Sequence, residues 1–298
     1  MSIYRGSGVA IVTPYQDTEA REINYEVFRQ LVERQIEAGT DAIIVAGTTG
    51  EASNQTDEEQ IDLIRYCVEV VDQRVPVIAG AGSNDTRHGV NLSKECEAAG
   101  ADALLSVTPY YLKTNQEGLY QHFAAIAKAV NIPIILYDVP GRTGMGIAPQ
   151  TLRRLIDDFE NIVGLKDATG NFNHAVDNLH YCGDQVDVYS GNDDTAVPLM
   201  SLGGQGVISV LANIAPKEVH DMIHAALDGD FAKARELQAK FKPLIDTLFC
   251  EPNPIPVKAA LAIQGFEVGP TRLPLGQPQA ETVNKLKEQM DELGLLNK

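Results

Sequence analysis

The chain has 298 residues, of which 44% are hydrophobic and 22% charged, an ordinary composition for a globular protein with a sizeable core. Twenty-four basic residues against 41 acidic ones leave a net charge of −17. That balance excludes a basic face for nucleic acid or an anionic membrane surface, so an anionic substrate must meet a local cation. The four cysteines, Cys67, Cys96, Cys182 and Cys250, show neither CxxC spacing nor a histidine at zinc-finger distance. They read as reduced thiols rather than a disulfide framework or a structural zinc site. The opening MSIYRGSGVAIVTPY lacks the pattern of a secretory signal, and no apolar run is long enough to span a bilayer. A cytoplasmic protein is the expectation.

In chain order, short β-branched runs alternate with segments of helical period. The runs occupy residues 8–15, 41–47, 75–82, 101–109, 132–140, 162–169, 186–193 and 206–213. Between them lie helical patterns. One opens at Asn24 and closes at Gly39, another begins with the acidic turn at Asp57, and two start at Pro149 and Pro216, where a missing N–H costs nothing. Eight strand–helix units imply a parallel sheet, and their number implies an α/β fold closed as a (β/α)₈ TIM barrel. A Gly-rich dinucleotide turn after the first strand, expected of an open doubly wound sheet, is replaced by Thr-Pro-Tyr. Residues 1–229 are assigned to the barrel. Residues 230–298 are assigned to a C-terminal helical region packed on it, with helices over 231–250, 256–264 and 280–293.

The active site of such a barrel lies at the C-terminal ends of its strands. Strand six ends GLKDATG, and alternation places Ile162, Gly164, Lys166 and Ala168 on one face. An ammonium inside a barrel is costly to bury, and a neutral amine is what carbonyl attack requires. Strand five ends LYDVPGRTG. Tyr137 stands where a phenol can move protons, and Arg142, in a Gly-flanked loop, can hold a carboxylate bidentately. Strand two ends in GTTGE, whose Thr48 and Thr49 offer hydroxyls and backbone N–H groups to a short anion. Tyr110 and Tyr111 leave strand four at a proline, Gly191 in SGNDD admits close backbone approach, and Ile208 lies within GVISV. SLGGQG, residues 201–206, precedes strand eight and so falls at the bottom of the barrel. His220 and His224 read as surface histidines, and no clustered His/Asp/Glu set suggests a metal.

Taken together, GTTGE, VTPYY, LYDVPGRTG, GLKDATG, SGNDD and GVISV resemble, in order and near spacing, the dihydrodipicolinate synthase/N-acetylneuraminate lyase family of Schiff-base aldolases. The resemblance spans essentially the whole chain. It implies Lys166 as the residue that condenses with pyruvate, and Tyr137, Thr48 and Tyr111 as a proton relay, with Tyr111 donated across a subunit interface. Thr48 and Thr49 would hold the pyruvate carboxylate, Arg142 the carboxylate of L-aspartate 4-semialdehyde, and Gly191 and Ile208 would supply backbone contacts. It further implies a homo-oligomer, a tetramer built as a dimer of dimers, and chemistry with neither metal nor organic cofactor. The paired threonines, Tyr111 and Arg142 favour the synthase branch over sialic acid lyases and 2-keto-3-deoxy sugar acid aldolases. Members inhibited by lysine carry His and Glu in an interface pocket. The matching positions here are Ala52, Ser53, Asp57, Gln60, Asn84 and His88, so lysine feedback is expected to be weak or absent. Asp138 stands where the family more often has Asn.

Overall fold

The structure, a computed structural model, describes residues 2–296. Residue 1 and residues 297–298, the outer limits of the two assigned regions, lie outside the described residues. Eight strands run Gly6–Ala10 (β1), Ala42–Val45 (β2), Val77–Gly80 (β3), Ala103–Val107 (β4), Ile134–Asp138 (β5), Ile162–Asp167 (β6), Asp187–Ser190 (β7) and Gly206–Ser209 (β8). Each pairs in parallel with the next and β8 returns to β1, closing the barrel expected from the alternation.

The helices are Tyr25–Glu37 (α1), Asp57–Val71 (α2), Thr86–Ala98 (α3), Gln116–Ala127 (α4), Pro140–Thr143 (α5), Pro149–Asp158 (α6), Phe172–Cys182 (α7), Ala196–Ser201 (α8), Pro216–Leu227 (α9), Phe231–Leu248 (α10), Ile255–Ile263 (α11) and Ala280–Glu292 (α12). Their starts follow local chemistry. The Asn24 side chain accepts from Val27 N at the start of α1, and Thr56 and Glu59 form a reciprocal capping box at α2. Pro149 and Pro216 each sit in the first turn of their helix. The runs overestimate strand length, because the residues after each paired segment turn into the loops of the upper rim. The first run also lies late, since pairing begins at Gly6 and stops at Ala10.

Two apolar layers result. The larger fills the space between strands and helices, while Ala10, Ile44, Ile78, Leu105, Ile135, Tyr137, Tyr189 and Ile208 help fill the interior. Tyr4 closes the floor by stacking on Tyr189 at 4.5 Å between ring centroids. One expectation fails here. The β5–β6 register shifts after Ile134↔Ile162, so that Ile135 pairs with Gly164. Val163 is an extra residue, a β-bulge, and it breaks the alternation. Ile162 therefore packs in the outer layer and not on the face of Lys166.

The helices after β8 close over one side of the barrel, α10 packing on α9, and α12 on α10 and α11. Their connections also reach the upper rim. The Lys258 amine on α11 donates to Thr13 O, Glu51 Oε1 and Pro270 O, each at 3.1 Å. No helix among the described residues is long and apolar enough to cross a membrane.

A candidate active site at the C-terminal ends of the strands

The site is assembled by strand register. Tyr137 on β5 pairs with Lys166 on β6, which in turn pairs with Tyr189 on β7. Lys166 is 6% exposed, and its Nζ lies 4.2 Å from the centre of the Tyr137 ring. Among the described residues the amine has neither a hydrogen-bond acceptor nor an ion-pair partner, although Asp167 follows it directly. The pleat turns Asp167 away, where it accepts from Thr169 N at 2.8 Å and Thr169 Oγ1 at 2.6 Å. A buried amine lacking an acceptor is held next to a phenol and open to an electrophile.

Gly191 makes room for this arrangement. A Cβ there would lie 2.6 Å from the Ala168 Cβ and 3.1 Å from the Lys166 Cε. The space that glycine leaves is taken by the lysine arm itself, where the sequence pointed only to backbone close to a ligand. Ile208 is 1% exposed and packs in the barrel interior with Tyr137.

A cleft of about 410 Å³ opens beside Tyr137 and is lined by Thr48, Tyr110 and Arg142 among others. Thr48 follows a turn in which Ala46 takes φ +53, and Gly80 lets that turn approach, since a Cβ at Gly80 would fall 2.0 Å from Ala46 O. Thr49 is buried and its hydroxyl accepts from Asn253 Nδ2 at 2.9 Å. Arg142 is exposed to the cleft and forms no ion pair among the described residues. It sits on the one-turn helix α5, ended by Gly144 at φ +77, rather than in the irregular loop expected. Thr143 anchors that turn, accepting from Thr108 Oγ1 at 3.0 Å and donating to Met145 O at 2.8 Å. The rim loops after β4 and β5 are thereby tied together.

Tyr111 stands apart. It is 86% exposed, has φ +72, and is spanned by a hydrogen bond from Leu112 N to Tyr110 O at 2.9 Å. This is a γ-turn, a conformation rare for a residue with a side chain and characteristic of functional loops. Within one chain Tyr111 does not join Lys166 and Tyr137; it projects into solvent.

The polar layer beneath the rim was not legible from the motifs. Asp193 accepts from Val210 N and Leu211 N at 3.0 Å each and from Ser209 Oγ, fixing the turn after β8. Glu51, at φ +57, accepts from Lys258 through Oε1 and from Arg272 N through Oε2. Burial pulls the Lys258 amine down to about 8, against the pull of Glu51. Asp138, on the outer face of β5, accepts from Ile147 N at 3.1 Å, and its Oδ2 lies 3.3 Å from His174 Nε2. Burial raises the Asp138 carboxyl, and the facing carboxylate raises the His174 imidazole. The acid at this position thus faces a histidine.

The sequence reading of His220 and His224 is corrected. Both face Asp41 at the opposite end of the barrel, with His224 Nε2 2.9 Å from Asp41 Oδ2, and the three form a cluster with metal-ligand spacing. Asp41 is 183 residues from His224, so only the closed barrel brings them together.

Comparison with known proteins agrees with this architecture. A 4-hydroxy-tetrahydrodipicolinate synthase of Lachnoclostridium phytofermentans is 50% identical over 296 residues, 99% of this chain and 100% of its own. The chloride-inhibited dihydrodipicolinate synthase of Acinetobacter baumannii, solved in complex with pyruvate, superposes with a TM-score of 0.94 at 44% identity, covering 98% of this chain and 99% of that one. A monomeric dihydrodipicolinate synthase variant superposes with a TM-score of 0.96 at 41% identity, covering 99% and 98%. Matched from residue 4 to residue 293, the chain belongs to the dihydrodipicolinate synthetase family.

Proposed function

We propose that this chain is a lyase that condenses pyruvate with L-aspartate 4-semialdehyde through a Schiff base on Lys166, giving 4-hydroxy-tetrahydrodipicolinate for diaminopimelate and lysine biosynthesis. The observation that carries the reading is Lys166 itself: a buried amine without an acceptor, register-paired with Tyr137 at the catalytic end of the barrel. Its amine attacks the pyruvate carbonyl and water leaves. The resulting iminium is an electron sink, so a methyl proton departs to the Tyr137 oxygen as that phenol passes its own hydroxyl proton on along the relay. The enamine carbon then attacks the aldehyde of the second substrate. That substrate's amino group displaces Lys166 and closes the ring.

Thr48 and Tyr111 complete the proton relay with Tyr137. Thr48 and Thr49 hold the pyruvate carboxylate, Gly191 and Ile208 border it, and Arg142 receives the carboxylate of the semialdehyde. Support for Arg142 is its guanidinium on the cleft wall, which forms no ion pair among the described residues. Support for Tyr111 is a strained turn that presents a phenol to solvent, where a second copy of the chain can receive it. That role requires a homo-oligomer, for which the family resemblance implies a tetramer built as a dimer of dimers. Apolar Phe172, Val176 and Leu179, exposed along α7, offer it a second contact. Of the described residues, 2–229 form the catalytic barrel and 230–296 the helical region packed on it, in a cytoplasmic protein.

The test is substrate choice. Purified protein given pyruvate should consume L-aspartate 4-semialdehyde and leave N-acetylneuraminate and 2-keto-3-deoxy sugar acids untouched. Turnover of a sugar acid without turnover of the semialdehyde would place the chain in another branch of the family.

A further inference from the structure

The bottom of the barrel carries polar groups for which the condensation has no use. We propose that Asp41, His220 and His224 bind one divalent transition-metal ion of the zinc type. Asp41 directly precedes β2, and the two histidines lie one turn apart on α9, so both rings project from the same face. The rings pack with centroids 3.9 Å apart. His224 Nε2 lies 2.9 Å and His220 Nδ1 3.7 Å from Asp41 Oδ2. Tetrahedral zinc, with bonds of about 2.0–2.1 Å, sets its ligand atoms roughly 3.3–3.4 Å apart. The two observed separations bracket that value.

Three further observations point to a ligand. His220 Nδ1 is buried without a hydrogen-bond partner, a cost that a metal bond would remove. Ser7 N donates to Asp41 Oδ2 at 2.7 Å, the kind of contact that orients a ligating carboxylate. Gly6 also makes room for the cluster, since a Cβ there would fall 2.0 Å from Asp41 Oδ2 and 2.9 Å from His224 Nε2.

Two imidazoles and a carboxylate suit Zn²⁺, Co²⁺ or Ni²⁺ better than Ca²⁺ or Mg²⁺. The three side chains keep 23–35% of their exposure, which leaves solvent to supply a fourth ligand. Such an ion would clip α9 to the floor of the barrel. It stabilises the fold by binding the native state, at the end remote from Lys166.

The test uses full-length protein without a histidine tag, carrying Cys250→Ser to remove the exposed thiol, stripped of metal and titrated with Co²⁺ and Zn²⁺. One equivalent is expected, with cobalt d–d bands, no thiolate charge-transfer band, and a thermal midpoint that rises with Zn²⁺. His224→Ala should weaken binding at least tenfold. So should His220→Asn, which leaves the His224–Asp41 contact intact and so separates ligation from folding. Condensation by both variants should be unchanged. No binding at submillimolar metal, or binding indifferent to His220→Asn, would reduce the cluster to an Asp–His hydrogen bond and overturn the proposal.

Discussion

Two lysines are buried at the upper end of this barrel, and they are provided for in opposite ways. Lys258, 3% exposed on α11, has three oxygen acceptors and lies 4.5 Å from the centre of the Tyr15 ring. Lys166, 6% exposed on β6, has no acceptor among the described residues and lies 4.2 Å from the centre of the Tyr137 ring. Lys258 is a saturated cation that ties the C-terminal helices to the strand-two loop through Glu51. Lys166 is an amine on a strand with no protein acceptor among the described residues, and that lack of partners is what leaves it to chemistry. Burial alone does not mark a catalytic lysine; the supply of acceptors does.

The largest effect that this contrast predicts is on Lys166→Ala. Condensation should fall by about 10⁴-fold or more, because no other amine is placed to form the iminium. Thermal stability should hold or rise, since the change removes an amine that has no ion pair or hydrogen bond among the described residues. Retained activity would dissolve the contrast.

Lys258→Met should do the reverse. It strands the Glu51 carboxylate and costs about 3–5 kcal/mol of stability, read as a thermal midpoint lowered by on the order of 10 °C. Molecules that remain folded should still form the pyruvate adduct. Next in size is Arg142→Ala, which loses a charge-assisted contact. It should raise KM for the semialdehyde by about 10–100-fold while leaving pyruvate adduct formation intact.

His122 extends the comparison to a group between the extremes. Its Nδ1 has Thr86 at 2.9 Å, its Nε2 has no partner, and burial pulls the imidazole down to about 4. Above pH 6.5 the folded and unfolded chains both hold it neutral. As pH falls from 6.5 towards 4 the unfolded chain takes up a proton that the folded chain refuses, so stability is lost through that window. The loss approaches about 3 kcal/mol at its lower end. Denaturant unfolding of His122→Gln should show a shallower acid slope, and an unchanged slope would contradict the assignment. The smallest effect concerns lysine. His88 Nε2 lies 2.9 Å from both oxygens of Asp57 and so occupies that carboxylate, and Gln60 donates to Ala52 O at 2.8 Å. Calorimetric titration with lysine should give no saturable heat, and micromolar binding would refute this.

Local pattern made the barrel legible. Eight β-branched runs alternating with helical periods admit few topologies, and strand ends then direct attention to Lys166, Tyr137, Thr48 and Arg142. What escaped the sequence depends on closure. The Val163 bulge is a register event between two strands, and no periodicity within one strand reports it. Glu51–Lys258 and Thr49–Asn253 join residues more than 200 positions apart, so nothing local links them. Asp41 meets His220 and His224 only because α9 packs against β1, the strand that pairs with β2. The α5 turn was hidden because PGRTG is too short to show a helical period. Asp138 and His174 lie 36 positions apart, so only folding shows that the acid faces an imidazole.

The central claim is that Lys166, and not Lys258, is the reacting amine. The most direct test is borohydride reduction in the presence of pyruvate, followed by peptide mass mapping of every lysine. The account predicts a reduced pyruvate adduct confined to the peptide that contains Lys166, absent from Lys166→Ala and present in folded Lys258→Met. An adduct on Lys258, or none on Lys166, would contradict it.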